Sequence, residues 1–256
     1  MTTFNWKELM TQWNQELLQD EEIRAELPPE VIVSGWLGYP GATEEQLSQL
    51  EERLGATLPP SYREFLKFTN GWRNTGHFIP AIWSTEEVEW FAVRNQDTID
   101  AWLGGERYDG TEPPPVPDDE YLDYGEDGAS EGDFRSEYLQ TALEISDREV
   151  AGTAVYLLNP QIVTPEGEWE AWFFAHWVPG ATRYRSFWDM MQSEHQGLLY
   201  LRENKTKPAP SSMNPVKALM DEIKAARNDP DPQTRQFAEW ILNLQHFFSG
   251  DAENET

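Results

Sequence analysis

Gly128-Ala129-Ser130-Glu131-Gly132 has the spacing of a nucleophile elbow, in which a serine is held on a strained turn between a buried strand and a helix. The flanks here, Asp123-Tyr124-Gly125-Glu126-Asp127 and Asp133-Phe134, supply neither element, so the pattern reads as an acidic, glycine-rich loop. Asp123, Asp127 and Gly128 sketch a calcium loop, but Gly125 stands at its third position and Phe134 at its twelfth, where a bidentate glutamate is needed. His77, His176, His195 and His246 include no close-spaced pair of the kind two helical zinc ligands require. Leu103-Gly104-Gly105-Glu106 lacks the lysine of a phosphate-cradling loop. With 46 acids in the chain, a glycosidase-like carboxylate pair can be drawn anywhere and spacing selects none. The absence of cysteine excludes disulfides, thiolate catalysis and thiolate zinc sites. The expectation is no catalytic residue, no metal site and no cofactor: not an enzyme.

What the sequence concentrates is negative charge. Formal charge is −27, and the stretch from Glu106 to Glu137 holds twelve acids answered only by Arg107 and Arg135. Such a field disfavours nucleic acid as a direct ligand and speeds encounter with a basic protein surface. Proline and like-charge repulsion predict a solvated excursion, yet Tyr121, Leu122, Tyr124 and Phe134 place apolar side chains among the acids, as an interface does. The partner-binding candidates are therefore Asp118, Asp119, Glu120, Tyr121, Asp123, Tyr124, Glu126 and Asp127, joined by Trp72 and Arg73 at a helix corner. Mutual spacing leaves the partner's identity and the oligomeric state open.

These residues need a scaffold. Phe4, Trp6, Leu9, Met10, Trp13 and Leu17 fall on one helical face. Thr43 followed by Gln46 predicts a capping box, Leu47, Leu50 and Leu54 a buried stripe, and Gly55 a left-handed stop. Leu58-Pro59-Pro60 leads into a second helix over 61–69, closed by Asn70-Gly71. Phe78 to Trp83 reads as an edge strand despite Pro80, and Ser84 with Glu87 repeats the capping-box spacing ahead of further helical turns. Strands are predicted over 138–146, 153–159 and 168–178, with 160–167 as connector. In the last strand, Trp169, Ala171, Phe173 and Ala175 share one face and Glu170, Trp172 and Phe174 the other. A helix follows around Phe187 to Leu201, then a linker over 204–213 and a helical hairpin over 214–256. Residues 1–203 form the main domain. No stretch reaches the roughly 18 apolar residues of a membrane span, and the first residues carry no leader pattern, so a cytoplasmic protein without membrane contact is expected.

Gly41-Ala42-Thr43-Glu44-Glu45, Glu51-Glu52-Arg53-Leu54-Gly55, Leu58-Pro59-Pro60-Ser61-Tyr62-Arg63-Glu64-Phe65-Leu66 and Asn70-Gly71-Trp72 follow one another in an order that resembles the signature of the SUKH superfamily, in its Smi/Knr (cell-wall assembly regulator-like) branch. The strands and Arg183-Tyr184-Arg185-Ser186-Phe187 extend that order to about residue 200. The resemblance implies an α+β fold with a mainly antiparallel sheet flanked by helices, and no catalytic residues. It implies an immunity protein that binds and neutralises a toxin, often a nuclease or nucleic-acid-modifying enzyme; joined to the acidic surface, the expectation is a basic toxin domain occluded by that surface. The alternative it implies is a regulatory scaffold for several cellular proteins.

Overall fold

A computed structural model describes residues 4–76, 78–104, 116–125, 129–132, 134–146, 154–175 and 180–205. The chain divides into two compact units, Met1–Leu199 and Tyr200–Thr256. The expected hairpin over 214–256, and the expected linker beyond residue 205, lie outside the described residues.

Three helices open the first unit: α1 (Trp6–Gln19), α2 (Glu21–Glu26) and α3 (Pro29–Ser34). Asn5 caps α1 by accepting from the Glu8 amide, and Trp6, Leu9, Met10, Trp13 and Leu17 form its buried stripe. Burying an indole is inexpensive only when its N–H finds an acceptor. Trp6 Nε1 donates to Ser61 O and Trp13 Nε1 to Thr75 O, both at 3.1 Å, so α1 is fixed in rotation as well as buried.

The next pair, α4 (Glu44–Leu54) and α5 (Pro60–Phe68), starts as the sequence predicts. Thr43 accepts from the Gln46 amide while Gln46 Oε1 accepts from the Thr43 amide, and Gly55 stops the helix at φ 65°. Pro60 opens α5, where its missing N–H costs nothing. The strand-like entry to α4 lies on the end of α5, with the Ala42 amide donating to Leu66 O and the Asn70 amide to Pro40 O. A Cβ on Gly41 would stand 1.9 Å from Lys67 O, a backbone atom that cannot step aside. Gly41→Ala is therefore expected to lower stability by about 2–3 kcal/mol, read as a shift in the urea midpoint; an unshifted midpoint would show that this approach is loose.

One six-stranded antiparallel sheet spans the unit in the order β1-β3-β4-β5-β6-β2. Its strands are β1 (Glu89–Trp90), β2 (Ala129–Gly132), β3 (Leu143–Glu144), β4 (Ala154–Val163), β5 (Trp169–Ala175) and β6 (Ala181–Tyr184). Every residue of β5 is buried, and the two-residue period divides its side chains between two cores. Trp169, Ala171, Phe173 and Ala175 join the helix-side cluster with Leu17, Phe65 and Phe187. Trp172 and Phe174 join a second cluster with Phe91, Ile99 and Leu139. The α+β architecture with helices flanking an antiparallel sheet is thus the observed one.

Four local expectations are corrected. Residues 78–83 form no strand: only Ile82 pairs, bridging Trp72 on one side and Ser146 on the other, because Pro80 has no donor to extend the ladder. The predicted strand over 138–146 begins as a 3-10 helix (Ser136–Thr141), which buries Leu139, and only Leu143 and Glu144 enter β3. The supposed connector over 160–167 is half strand, since β4 continues to Val163 through an irregularity after Asn159 that takes up Pro160. Ser84 and Glu87 do bond as a capping pair, but a turn follows rather than a helix, and helix α6 (Phe91–Leu103) starts only after β1.

The last described element, α8 (Phe187–Lys205), is capped by Ser186, whose Oγ accepts from the Asp189 amide at 3.1 Å and donates to Asp189 Oδ2 at 2.7 Å. Farther along it, the Tyr156 hydroxyl donates to Glu194 Oε2 at 2.7 Å, and burial pushes the Glu194 carboxyl up to about 7 from its usual 4.5. Below that usual value both folded and unfolded chains carry the proton. Between 4.5 and about 7 the unfolded chain releases it while the folded chain keeps it, so this group's contribution falls as pH rises through the window. Glu194→Gln is expected to raise stability by about 1–3 kcal/mol at pH 8 and to change little at pH 4. Paired thermal melts at the two pH values check this, and an equal effect at both would mean the carboxylate ionises without penalty.

Candidate functional site

Glu170 is the most unusual residue in the sheet: a carboxylate at the centre of a strand buried on both faces, with no exposed surface. Such a charge survives only if paired and fully hydrogen-bonded. The register of β5 and β6 places Arg183 next to Trp172, within reach, and Arg183 NH1 donates to Glu170 Oε1 at 2.8 Å. Glu170 also accepts from Tyr124 Oη at 2.8 Å, Tyr121 Oη at 3.0 Å, Asn159 Nδ2 at 2.9 Å and Trp172 Nε1 at 2.7 Å. Arg183 in turn donates to Tyr121 O at 2.8 Å and Ser130 Oγ at 2.9 Å, with its guanidinium 3.9 Å over the Tyr121 ring. Burial, and then the Glu170 charge, raise both phenol pKa values far above the usual range, so Tyr121 and Tyr124 remain donors.

This cluster holds the acidic segment against the sheet. Helix α7 (Asp118–Tyr121) and the turn that follows are tied down from beneath by Tyr121 and Tyr124. At the side, Arg135 donates to Asp118 Oδ1, to Val116 O at 2.7 Å and to the Tyr138 hydroxyl at 2.8 Å. Its guanidinium is 4.5 Å over the Tyr121 ring, and its bond to Asp118 raises its pKa further. Asp118, Asp119, Glu120 and Asp123 are exposed, with Leu122 half-exposed between them.

The ten candidate residues therefore separate. Asp118, Asp119, Glu120 and Asp123 share one solvent-facing segment. Tyr121 and Tyr124, expected as apolar contacts, are buried and act as anchors; the exposed apolar side chain among these acids is Leu122. Glu126 and Asp127 lie outside the described residues. Trp72 and Arg73 are elsewhere in the fold. Trp72 is fully buried, T-stacked on Trp36, and at the middle of a chain of bridges running Gly38, Trp72, Ile82, Ser146. Arg73 donates to Leu37 O at 2.9 Å and Gly38 O at 2.7 Å and lies 3.7 Å over the Tyr39 ring, clamping the chain that enters α4.

Glu170, Arg183, Asn159 and Arg135 are the site residues that sequence reasoning missed. The available signal was a lone glutamate inside the apolar run of β5. Residues 129–132, expected as part of an acidic loop, instead form edge strand β2 on β6; Ser130 lies within it and accepts from Arg183, which is not the strand-turn-helix setting of a nucleophile. Among the described residues no group of three His, Asp or Glu is placed to hold a metal ion, and no helix is long and apolar enough to cross a membrane.

A helix-flanked antiparallel sheet that carries an acidic segment on a buried ion pair defines an α+β protein. A model of the SMI1 / KNR4 family (SUKH-1) matches residues 41–193, more than half of the chain, and the chain belongs to that family. The match runs from Gly41 into α8 and contains the whole Glu170 cluster, while α1 to α3 precede it. The family is generally non-catalytic. No curated protein matches the chain.

Proposed function

We propose that this chain is a non-catalytic binding protein of immunity type, which occludes a basic surface on a protein toxin with the segment around Asp118 to Asp123. The observation that carries the reading is the pinning of four exposed acids and Leu122 by the buried Glu170–Arg183 pair. A loop serving only solubility has no need of buried anchors, whereas pre-ordering a charged surface lowers the entropy lost on binding. Long-range attraction sets the association rate, and desolvated contact at Leu122 slows dissociation.

Capture of partners from native lysate by the tagged chain, at low and at high salt, tests the reading. One basic, toxin-like protein that is lost as salt rises is the expected result. Several housekeeping proteins held regardless of salt would replace it with the regulatory-scaffold function.

A further inference from the structure

We infer that a second, separate cleft on the first unit receives an arginine or lysine side chain from an extended segment of a protein partner. The cleft, ≈ 920 Å³ in volume, lies where the lead-in to α1, the start of α5, the β4–β5 turn and the start of α8 meet. That volume is near the upper end of the ~300–1,000 Å³ of ligand clefts, enough for a few residues of extended chain. Its aromatic wall is Phe4 and Trp188, ring centroids 5.8 Å apart and tilted by 51°. Trp188 is backed by Trp6 at 4.7 Å in a T-shaped contact, so the wall is fixed.

The charge on the other sides matches one kind of occupant. Glu166, Glu168 and Asp189 line the cleft, and no cation among the described residues forms an ion pair with any of them. Glu64, also in the lining, is shared with Lys67 at 3.2 Å. Glu168 is buried and accepts from both the Ser61 amide (2.8 Å) and Ser61 Oγ (2.5 Å), which fixes its position but leaves its charge uncompensated. Burial first, and then the neighbouring Asp189 and Glu166 charges, push its carboxyl above the usual range. These acids form no metal-binding group. A cation on an aliphatic stem answers both halves of the lining: the stem and charge against aromatic rings, and N–H donors to the carboxylates. Arg185, the one cation in the lining among the described residues, has its guanidinium 5.2 Å over the Tyr124 ring, and no residue of the 118–124 segment lines the cleft.

The inference rests on the reading that the partner is a basic protein, and the two can fail separately. The probe is a blocked five-residue peptide with a central arginine, titrated into the full chain and followed by amide and indole NMR shifts. Shifts at Glu166, Asp189 and the Trp188 indole are expected. Replacing arginine by its neutral isostere citrulline, or Glu166→Lys in the exposed turn, should each weaken binding by about tenfold or more. A variant carrying Asp119→Asn, Glu120→Gln and Asp123→Asn should leave peptide affinity unchanged, although it weakens the proposed function's partner. Citrulline binding as well as arginine, or shifts confined to other residues, would overturn the cleft assignment while leaving the acidic-face reading intact. Free spermidine binding as tightly as a peptide of the same charge would also overturn it, making the cleft a polyamine site.

Discussion

Glu170→Gln is expected to cost about 3–5 kcal/mol of folding stability, because it leaves the Arg183 charge buried beside a neutral amide whose NH2 group cannot accept from the surrounding donors. Five side chains converge on that one carboxylate, and all five are buried. Urea unfolding reads the loss, and hydrogen exchange should show amides from 118 to 124 losing protection before those of β4 and β5. If the variant does not fold, Arg183→Lys is the milder case: it keeps a charge near Glu170 but cannot also span Tyr121 O and Ser130 Oγ as a planar guanidinium does. It should retain the fold and release the segment. A loss of under about 1 kcal/mol for Glu170→Gln would mean that the pair is not desolvated.

Neutralising the outer acids should do the reverse, sparing the fold and changing recognition. The triple variant Asp119→Asn, Glu120→Gln, Asp123→Asn removes three charges from side chains that are exposed. Its melting temperature should stay close to that of the parent. Association with a captured basic partner should slow by about tenfold or more at low salt, with a shallower salt dependence and little change in dissociation rate. Leu122→Ala should show the complementary pattern, faster dissociation at a similar association rate. Stopped-flow association over a salt series separates the two, and an unchanged association rate in the triple variant would remove the acidic face from the proposed function.

The two helices that start the family signature were readable because their boundary signals are local: Thr43 and Gln46 bond to each other, and Pro60 fixes its own φ. The division of β5 into two faces was readable for the same reason, since alternation is a property of adjacent residues. Glu170 and Arg183 were not readable as a pair. They are on different strands, and a one-residue change of register would send one of them to the opposite face. Tyr121 and Tyr124 had the composition of interface residues but are turned inward, because Glu170 offers their hydroxyls an acceptor that solvent-facing rings would forgo. Residues 78–83 and 138–146 were read from β-type composition, which favours half-buried surfaces in general and does not distinguish a ladder from a 3-10 turn packed on a core.

Along the segment from Asp118 to Tyr124, two inward anchors and four outward acids share seven positions, yet they answer to different neighbours: the anchors to the sheet, the acids to the solvent-facing side. Selection on the fold constrains the first set and leaves the second free to drift or to be reshaped. Under the proposed immunity function, two relatives with the same anchors and different outward residues would be superimposable and still bind different partners, so specificity could diversify here at no structural expense.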